Sequence, residues 1–258
     1  MRLVRKNPSP VFENTLLALL SGVLLTAAFP PGHLSFLSWV AVVPLLFSIQ
    51  NSSWKSAFRL GFLAGLIHYL TLIYWIVVVL GRYGNLNIFF SVLGLLLLSL
   101  YLSLYLGVFS ALAASVRHSR FELIFLPAFW VALEYLRTYL FSGFPWCLLG
   151  YTQYKVLPII QVADLFGVYG ISFFIILINT FLFTRLCRDK GHSRRPKWEM
   201  IVIISVTGSI LTYGYHALSQ HMAEEGARPG LKTAIVQANI DQSLKWDPAY
   251  QTETLRIL

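Results

Sequence analysis

Seven long apolar runs occupy most of this chain, and they restrict it to a helical fold that crosses a membrane. A helix needs about 20 apolar residues to span about 30 Å of hydrocarbon. Only 12% of the residues are charged, against about 25% in soluble domains, so there is too little polar surface to coat a globule of this size. The predicted spans are residues 15–29, 34–49, 57–80, 86–116, 121–141, 168–186 and 198–218.

The first two spans are the shortest, and a Pro30-Pro31-Gly32 turn joins them, so a tilted hairpin is an alternative there. The basic N-terminus followed by residues 15–29 also resembles a signal peptide. A secretory cleavage site needs small residues, and Phe29 with the two prolines stands in that place. The sequence therefore predicts a retained membrane anchor.

The distribution of basic residues predicts the orientation. With the N-terminus in the cytoplasm, the inner segments hold thirteen Lys and Arg residues, and the short outer loops hold only Arg82 and Lys155. Positive residues favour the cytoplasmic side, so we expect a multi-pass protein of the bacterial inner membrane with a periplasmic C-terminus. The formal charge of +9 then serves orientation and anionic lipid headgroups, and no nucleic-acid partner is expected.

The C-terminal tail differs in character from the spans. Residues 220–230 are polar and rich in Gly and Pro, which predicts a linker. Residues 232–240 have β-branched residues in partial alternation, typical of a strand, and Asp247-Pro248 is typical of a helix start. We therefore predict an all-α polytopic membrane domain (1–219), followed by the first strand and helix of a soluble α/β domain (231–258).

Two charged residues lie at membrane depth near the end of the fifth span. Glu134 and Arg137 are three residues apart, so they share a helix face and can form an ion pair. Charges at this depth are unfavourable and often mark function. An ion pair that only fixes helix packing is the alternative.

Residues 141–166 are too polar, and too rich in Gly and Pro, for a span, and we expect them to form a platform at the outer leaflet. Tyr74 and Trp75 lie toward the same interface, where aromatic residues are favoured in any case. An ordinary interfacial loop is the alternative. The candidate platform residues are Gly143, Pro145, Trp146, Tyr74 and Trp75.

Other notable side chains have simpler interpretations. Gly61 and Gly65 form a small-xxx-small face that permits close helix contact, and His68 is expected to be an interior histidine. Cys147 and Cys187 are predicted on opposite sides of the membrane, so no disulfide joins them. Nothing near Cys147 activates it as a nucleophile. No metal spacing is present, and no cofactor is expected.

Several blocks together resemble the bacterial apolipoprotein N-acyltransferase family. The most specific are the Gly143-Phe-Pro-Trp146 block and the Gln242-Ser-Leu-Lys-Trp246 block, and the similarity covers nearly the whole chain. Supporting blocks are Phe29-Pro30-Pro31 with Trp39 and Pro44, Tyr74-Trp75, Glu134-Tyr-Leu-Arg137, Gln161 and Gly167-Val-Tyr-Gly-Ile-Ser172.

The resemblance implies an enzyme of lipoprotein maturation in the inner membrane. Such an enzyme moves an acyl chain from a phospholipid to a cysteine thiol, and then to the α-amine of a diacylglyceryl-cysteine on a lipoprotein. The chemistry belongs to a periplasmic nitrilase-like domain with a Glu-Lys-Cys triad, followed by a closing span. All three triad positions lie beyond the Lys245-Trp-Asp247 block, so none is carried over.

The resemblance also leaves alternatives. Trp246 matches a family tryptophan near the active site, although it could equally pack the first strand-helix connection. We expect this chain alone to be inactive, as a truncated version of the acyltransferase. The alternative is a non-catalytic membrane partner for a separately encoded nitrilase-like polypeptide. A small transporter lined by Glu134, Arg137 and His68 would need paired broken helices, which the sequence does not indicate.

Overall fold

Helices form all the regular structure of the described residues, which in the computed structural model are 10–30, 34–117, 119–187, 197–227, 233–235, 237 and 239. Short 3-10 turns lie at Ser35–Trp39 and Leu149–Gln153, and a π-helical turn lies at Val79–Tyr83. The α-helices are α1 (Pro10–Ala27), α2 (Val43–Ile49), α3 (Trp54–Leu72), α4 (Trp75–Val78), α5 (Ile88–Val116), α6 (Glu122–Tyr139), α7 (Leu157–Ile160), α8 (Ala163–Leu186) and α9 (Lys197–Ala227).

Three helices in the described part of the chain are long and apolar enough to cross a membrane: α5, α8 and the Lys197–Gln220 part of α9. A fourth candidate is broken, because Trp54–Leu72 and Trp75–Tyr83 meet at a bend of 47°. Helix α6 carries the charged residues Glu122, Glu134 and Arg137 within its 18 residues. The chain therefore has a helical membrane domain, while the count of seven spans stays a prediction.

The observed helices depart from the predicted spans at several points, and three of these change the structure of a segment. The second span is a 3-10 turn followed by the short α2, because Pro44 occupies the first turn of α2, and proline favours a helix start over its interior. The third span breaks between α3 and α4. Helix α9 continues to Ala227, so residues 220–227 of the predicted linker are helical instead.

The predicted strand at 232–240 is not confirmed. Its described residues, 233–235, 237 and 239, have no regular secondary structure. Trp246 and the predicted helix from Pro248 lie outside the described residues, so the start of the soluble α/β domain stays a prediction.

Helices α3 and α5 pack through the predicted small-residue face. A Cβ added at Gly61 would lie 2.4 Å from the Leu106 carbonyl oxygen and 2.1 Å from Ser110 Oγ, and one at Gly65 would lie 3.0 Å from the Cα of Ser103. Only glycine permits this approach, since real Cβ atoms essentially never come closer than 3.0 Å. The small-xxx-small interpretation is confirmed.

Replacing Gly61 with alanine is expected to destabilise the α3–α5 contact by about 1–3 kcal/mol, the usual effect of overpacking. The backbone carbonyl of Leu106 cannot move without shifting α5. The measurement is the unfolding free energy in detergent micelles. Gly208→Ala is the matched control, because nothing lies within 4 Å of a Cβ there. Equal stability of the two variants would contradict the close packing.

Candidate functional site

Helix α6 places both of its charged site residues inside the protein. Glu134 is 6% exposed and Arg137 is 3% exposed. Glu134 Oε1 accepts a hydrogen bond from the Leu149 amide at 2.7 Å. Arg137 Nη2 donates to the carbonyl oxygens of Trp146 at 3.3 Å and Cys147 at 3.2 Å. The two side chains therefore hold the backbone of residues 146–149 through hydrogen bonds.

The prediction that Glu134 and Arg137 form a direct ion pair is wrong, although both residues lie in the same buried site. No ion pair within 4.0 Å joins these two described residues. Arg137 Nη1 instead donates to the Tyr69 hydroxyl on α3. The reason is that the returning backbone carries unpaired amide and carbonyl groups, and charged side chains satisfy such groups through strong hydrogen bonds.

The chain returns over α6 through a turn that needs unusual backbone angles. Gly143 has φ +74°, and a Cβ there would lie 2.2 Å from the Thr138 carbonyl oxygen, so only glycine fits. The Phe144 amide then donates to the Arg137 carbonyl at 2.9 Å. Cys147 also has positive φ, +59°, which is strained for a residue with a side chain. The carbonyl oxygen of the same residue accepts the hydrogen bond from Arg137.

A narrow cavity of about 30 Å³ lies beneath this turn. The remainder of its lining is largely apolar, and its polar lining residues are His68, Tyr69, Tyr105, Glu134, Arg137 and Cys147. His68 is 4% exposed, and its Nδ1 lies 3.1 Å from Thr26 Oγ1. The prediction that His68 is a partnered interior histidine is confirmed.

Cys147 lies in the connection that follows α6, and its environment does not activate it. Burial raises the pKa of the Cys147 thiol from 9.0 to about 11, and the nearby positive charge of Arg137 offsets only part of this rise. A nucleophilic cysteine needs its pKa lowered to expose the thiolate. A raised pKa disfavours the thiolate form, and the absence of a nucleophilic role for Cys147 stays a prediction.

Alkylation of Cys147 is expected to be about 100-fold slower at pH 8 than that of an ordinary thiol, because its thiolate fraction is smaller by that factor. The rate should keep rising as the pH increases toward about 11. The measurement is iodoacetamide labelling of a Cys187→Ser variant. The control is a cysteine at the exposed Ser142 position of the same turn, with Cys147 replaced by serine. Equal rates at pH 8 would contradict the burial of the thiol.

Aromatic side chains form a ledge above the cavity, which we define as Trp75, Phe144 and Trp146. The Trp75 and Trp146 rings lie 6.0 Å apart at 80°, and the Phe144 and Trp146 rings lie 5.2 Å apart at 86°. Trp146 is 55% exposed. Trp75 and Trp146 give the ledge an exposed apolar surface, whereas Phe144 is buried, at 6% exposed. Glu134 and Arg137 hold the ledge in place through their hydrogen bonds to residues 146–149.

The structure brings the predicted site residues together, except Trp246, which lies outside the described residues. Glu134, Arg137, Gly143, Trp146 and Trp75 belong to one continuous arrangement. Pro145 is exposed within the same turn, and Tyr74 is exposed next to Trp75. The functional role of each stays a prediction.

Three buried polar residues that fix the same region were not predicted as site residues. Ser172 Oγ accepts from the Gly150 amide at 2.9 Å, and Gln153 Nε2 donates to Ser38 Oγ at 2.8 Å. Asn179 Oδ1 accepts from the Val42 amide at 2.9 Å. An asparagine inside an apolar span was the available signal, because polar residues at membrane depth need partners.

Comparison with known proteins identifies the family. The apolipoprotein N-acyltransferase N-terminal domain matches residues 21–181. The chain belongs to the apolipoprotein N-acyltransferase family. It is 43% identical over 243 residues to the apolipoprotein N-acyltransferase of Geobacter metallireducens, a match that covers 94% of this chain and 46% of the relative.

Two further relatives are matched over similar shares of their length. The apolipoprotein N-acyltransferase of Haemophilus ducreyi is 32% identical over 257 residues, covering 97% of this chain and 47% of that protein. That of Pasteurella multocida is 30% identical over 245 residues, covering 93% and 46%. The chain thus spans about half the length of these curated relatives. In each relative the matched region belongs to one longer chain, so a separately encoded partner polypeptide is not favoured.

Proposed function

We propose that this chain is the membrane part of an enzyme that transfers a phospholipid acyl chain to the N-terminal diacylglyceryl-cysteine of lipoproteins. The observation that carries the proposal is the family match over residues 21–181, which includes the whole arrangement around Glu134 and Arg137. The proposed substrates are a phospholipid acyl donor and a diacylglyceryl-modified lipoprotein acceptor, and no cofactor is required.

In this proposal the membrane domain supplies position rather than chemistry. Acyl transfer needs an activated nucleophile and donors that stabilise the oxyanion. The Glu-Lys-Cys triad that the family resemblance implies lies beyond residue 247. The exposed rings of the ledge, Trp75 and Trp146, would face the soluble domain or the lipid chains that enter it. Tyr74, Gly143, Pro145 and Trp246 complete the proposed platform.

The proposed orientation has seven spans in the bacterial inner membrane, with a cytoplasmic N-terminus and a periplasmic C-terminus. The excess of basic residues in the predicted inner segments supports it. Alkaline phosphatase fused after residue 227 should be active, because that enzyme works only outside the cytoplasm. A green fluorescent protein fused there and exported through Sec should be dark. The opposite pair of readings would overturn the orientation.

A chimera tests the proposed function. In it, this chain replaces the corresponding half of the Geobacter metallireducens relative, in cells depleted of their own N-acyltransferase. We expect the chimera to restore N-acylation of a reporter lipoprotein, measured as a mass increase of its N-terminal peptide. This chain alone should give no increase. A membrane-inserted, folded chimera without activity would contradict the proposal, and activity of the chain alone would contradict the placement of the chemistry.

A further inference from the structure

The narrow cavity beneath the Gly143 turn is lined entirely by residues of the described part of the chain. Helices α1, α3, α5 and α6 supply most of its walls, and Cys147 and Leu149 of the returning segment also line it. All of its lining residues are buried except Leu133 and Cys147, which are half-buried. The cavity is therefore interior to the membrane domain, whatever covers the ledge above it.

Both charged side chains of this cavity keep one hydrogen-bonding atom in reserve. Oε1 of Glu134 is paired with the Leu149 amide, and Nη1 and Nη2 of Arg137 are paired as described above. In contrast, Glu134 Oε2 and Arg137 Nε are buried and have no hydrogen-bond partner among the described residues. The same holds for Nε1 of Trp130, a lining residue that is 7% exposed. Because buried polar atoms are nearly always paired with protein or with ordered water, these three atoms point to a ligand.

The three unpaired atoms together have the hydrogen-bonding character of a water site. Arg137 Nε–H and Trp130 Nε1–H are donors, whereas Glu134 Oε2 is an acceptor. A water molecule both accepts and donates hydrogen bonds, up to about four in all. It can therefore pair with all three atoms at once and keep one O–H for another lining atom. Buried waters typically make about three hydrogen bonds to polar groups that otherwise have no partner.

The size and the charges of the cavity disfavour other ligands. Its volume of about 30 Å³ exceeds the roughly 10–15 Å³ that one water needs, but it is far below the roughly 300 Å³ at which ligand pockets begin. The positive charge of Arg137 repels a metal cation, and the described residues contain no cluster of three metal-ligating side chains. The carboxylate of Glu134 likewise repels an anion. A small neutral molecule that is both donor and acceptor fits best.

We propose that this cavity holds a water molecule that links Glu134 Oε2 to Arg137 Nε and Trp130 Nε1. The water joins the two charged residues, which do not meet directly, and a bridge of this kind is nearly as favourable in enthalpy as a direct hydrogen bond. Each charged side chain then holds the returning backbone with some of its atoms and the water with another. The site concerns the membrane domain alone and takes no part in acyl transfer, so it goes beyond the proposed function.

Magnetisation transfer from water, measured by NMR on the chain in detergent micelles, tests this site. The probes are the Nε1–H of Trp130 and the Nε–H of Arg137, observed in protein with isotope-labelled tryptophan and arginine. A held water gives a rotating-frame Overhauser peak, whose sign is opposite to that of proton exchange. We expect this peak at both probes. We expect none at the indole of Trp54, which is 60% exposed, because bulk water leaves too fast to give one.

Two leucines of α6 provide a matched pair of variants. Leu133 lines the cavity, so Leu133→Phe adds ring volume there and should remove the water peak at Trp130. Leu136 is outside the lining and is 46% exposed, so Leu136→Phe should leave that peak unchanged. A water peak that survives in a folded Leu133→Phe variant would contradict the placement of the water in this cavity.

The wild-type spectrum alone can overturn the proposal. The absence of a rotating-frame water peak at either probe would show that no water links the three atoms. A peak with the sign of proton exchange alone would show that solvent reaches the indole directly, and a peak from detergent methylene protons would show that an apolar chain fills the cavity. None of these results depends on whether Leu133→Phe folds, and none bears on the acyl-transfer chimera.

Discussion

Replacing Arg137 with methionine is expected to destabilise the membrane domain by about 3–5 kcal/mol, the usual effect of leaving a buried charge uncompensated. The variant loses the hydrogen bonds to the Tyr69 hydroxyl and to the carbonyls of Trp146 and Cys147. It also leaves the Glu134 carboxylate, 6% exposed, in an apolar surrounding. The measurement is the free energy of unfolding in detergent micelles.

A second measurement, the alkylation rate of Cys147, distinguishes the loss of these hydrogen bonds from general destabilisation. Without Arg137 the carbonyl groups of Trp146 and Cys147 lose their side-chain donor, so the Cys147 thiol should become more accessible. Its alkylation at pH 8 should accelerate under conditions where the variant is still folded. The ledge would move at the same time, because Trp146 lies directly before Cys147.

Two variants control for other effects of removing an arginine. Arg59→Met removes an exposed arginine from α3 and should change stability by less than about 0.5 kcal/mol, as is usual for surface substitutions. Replacing Glu134 and Arg137 together by methionine should be less harmful than Arg137→Met, because no charge then stays buried. A double variant as unstable as the sum of both single variants would show that the two residues act independently.

Hydropathy was sufficient to predict the fold class because it records the surrounding solvent. Few charges and long apolar runs require lipid around the chain, whatever the details of packing. The glycine face of α3 was also predictable, because small residues at Gly61 and Gly65 have few roles in a membrane helix besides close contact. His68 followed from its apolar neighbours in the sequence.

Breaks within the apolar runs were not predictable from hydropathy, because average hydropathy is unaffected when a helix bends. The run 57–80 is apolar on both sides of the 47° bend between α3 and α4. Likewise, the segment Ala163–Leu186 consists of two helical stretches that meet at a kink at Gly167, with φ +62° and ψ −171°, so a short stretch precedes the predicted start at 168. In that case a glycine coincided with the predicted boundary.

The partners of Glu134 and Arg137 were beyond sequence reasoning for a different reason. The spacing of three residues predicts a contact within one helix, but the observed partners are Tyr69, 68 residues away, and the backbone of residues 146–149. Long-range partners depend on how the chain returns over α6, and the positive φ of Gly143 and Cys147 sets that path. The three-residue spacing thus pointed to two buried residues of the site, but it predicted a contact between them that the structure does not contain.

Replacing Asn179 with leucine is expected to destabilise the domain by about 2–5 kcal/mol, because each buried backbone group left unpaired costs about 1–3 kcal/mol. Asn179 on α8 is fully buried. Its Oδ1 accepts from the Val42 amide at 2.9 Å, and its Nδ2 donates to the Ser38 carbonyl at 2.8 Å. It therefore pairs both ends of the irregular segment before α2, where no regular helix can satisfy those groups.

The neighbouring residue makes the comparison specific. Thr180 is equally buried, but its hydroxyl donates only to the Ile176 carbonyl of its own helix, at 2.8 Å. Thr180→Val should therefore cost less than about 1 kcal/mol, in the range measured for single side-chain hydrogen bonds in membrane proteins. The measurement is the free energy of unfolding of both variants, from denaturant titrations in the same detergent. If Asn179→Leu is as mild as Thr180→Val, the segment before α2 is held by apolar packing, and the asparagine does not act as the link between α8 and that segment.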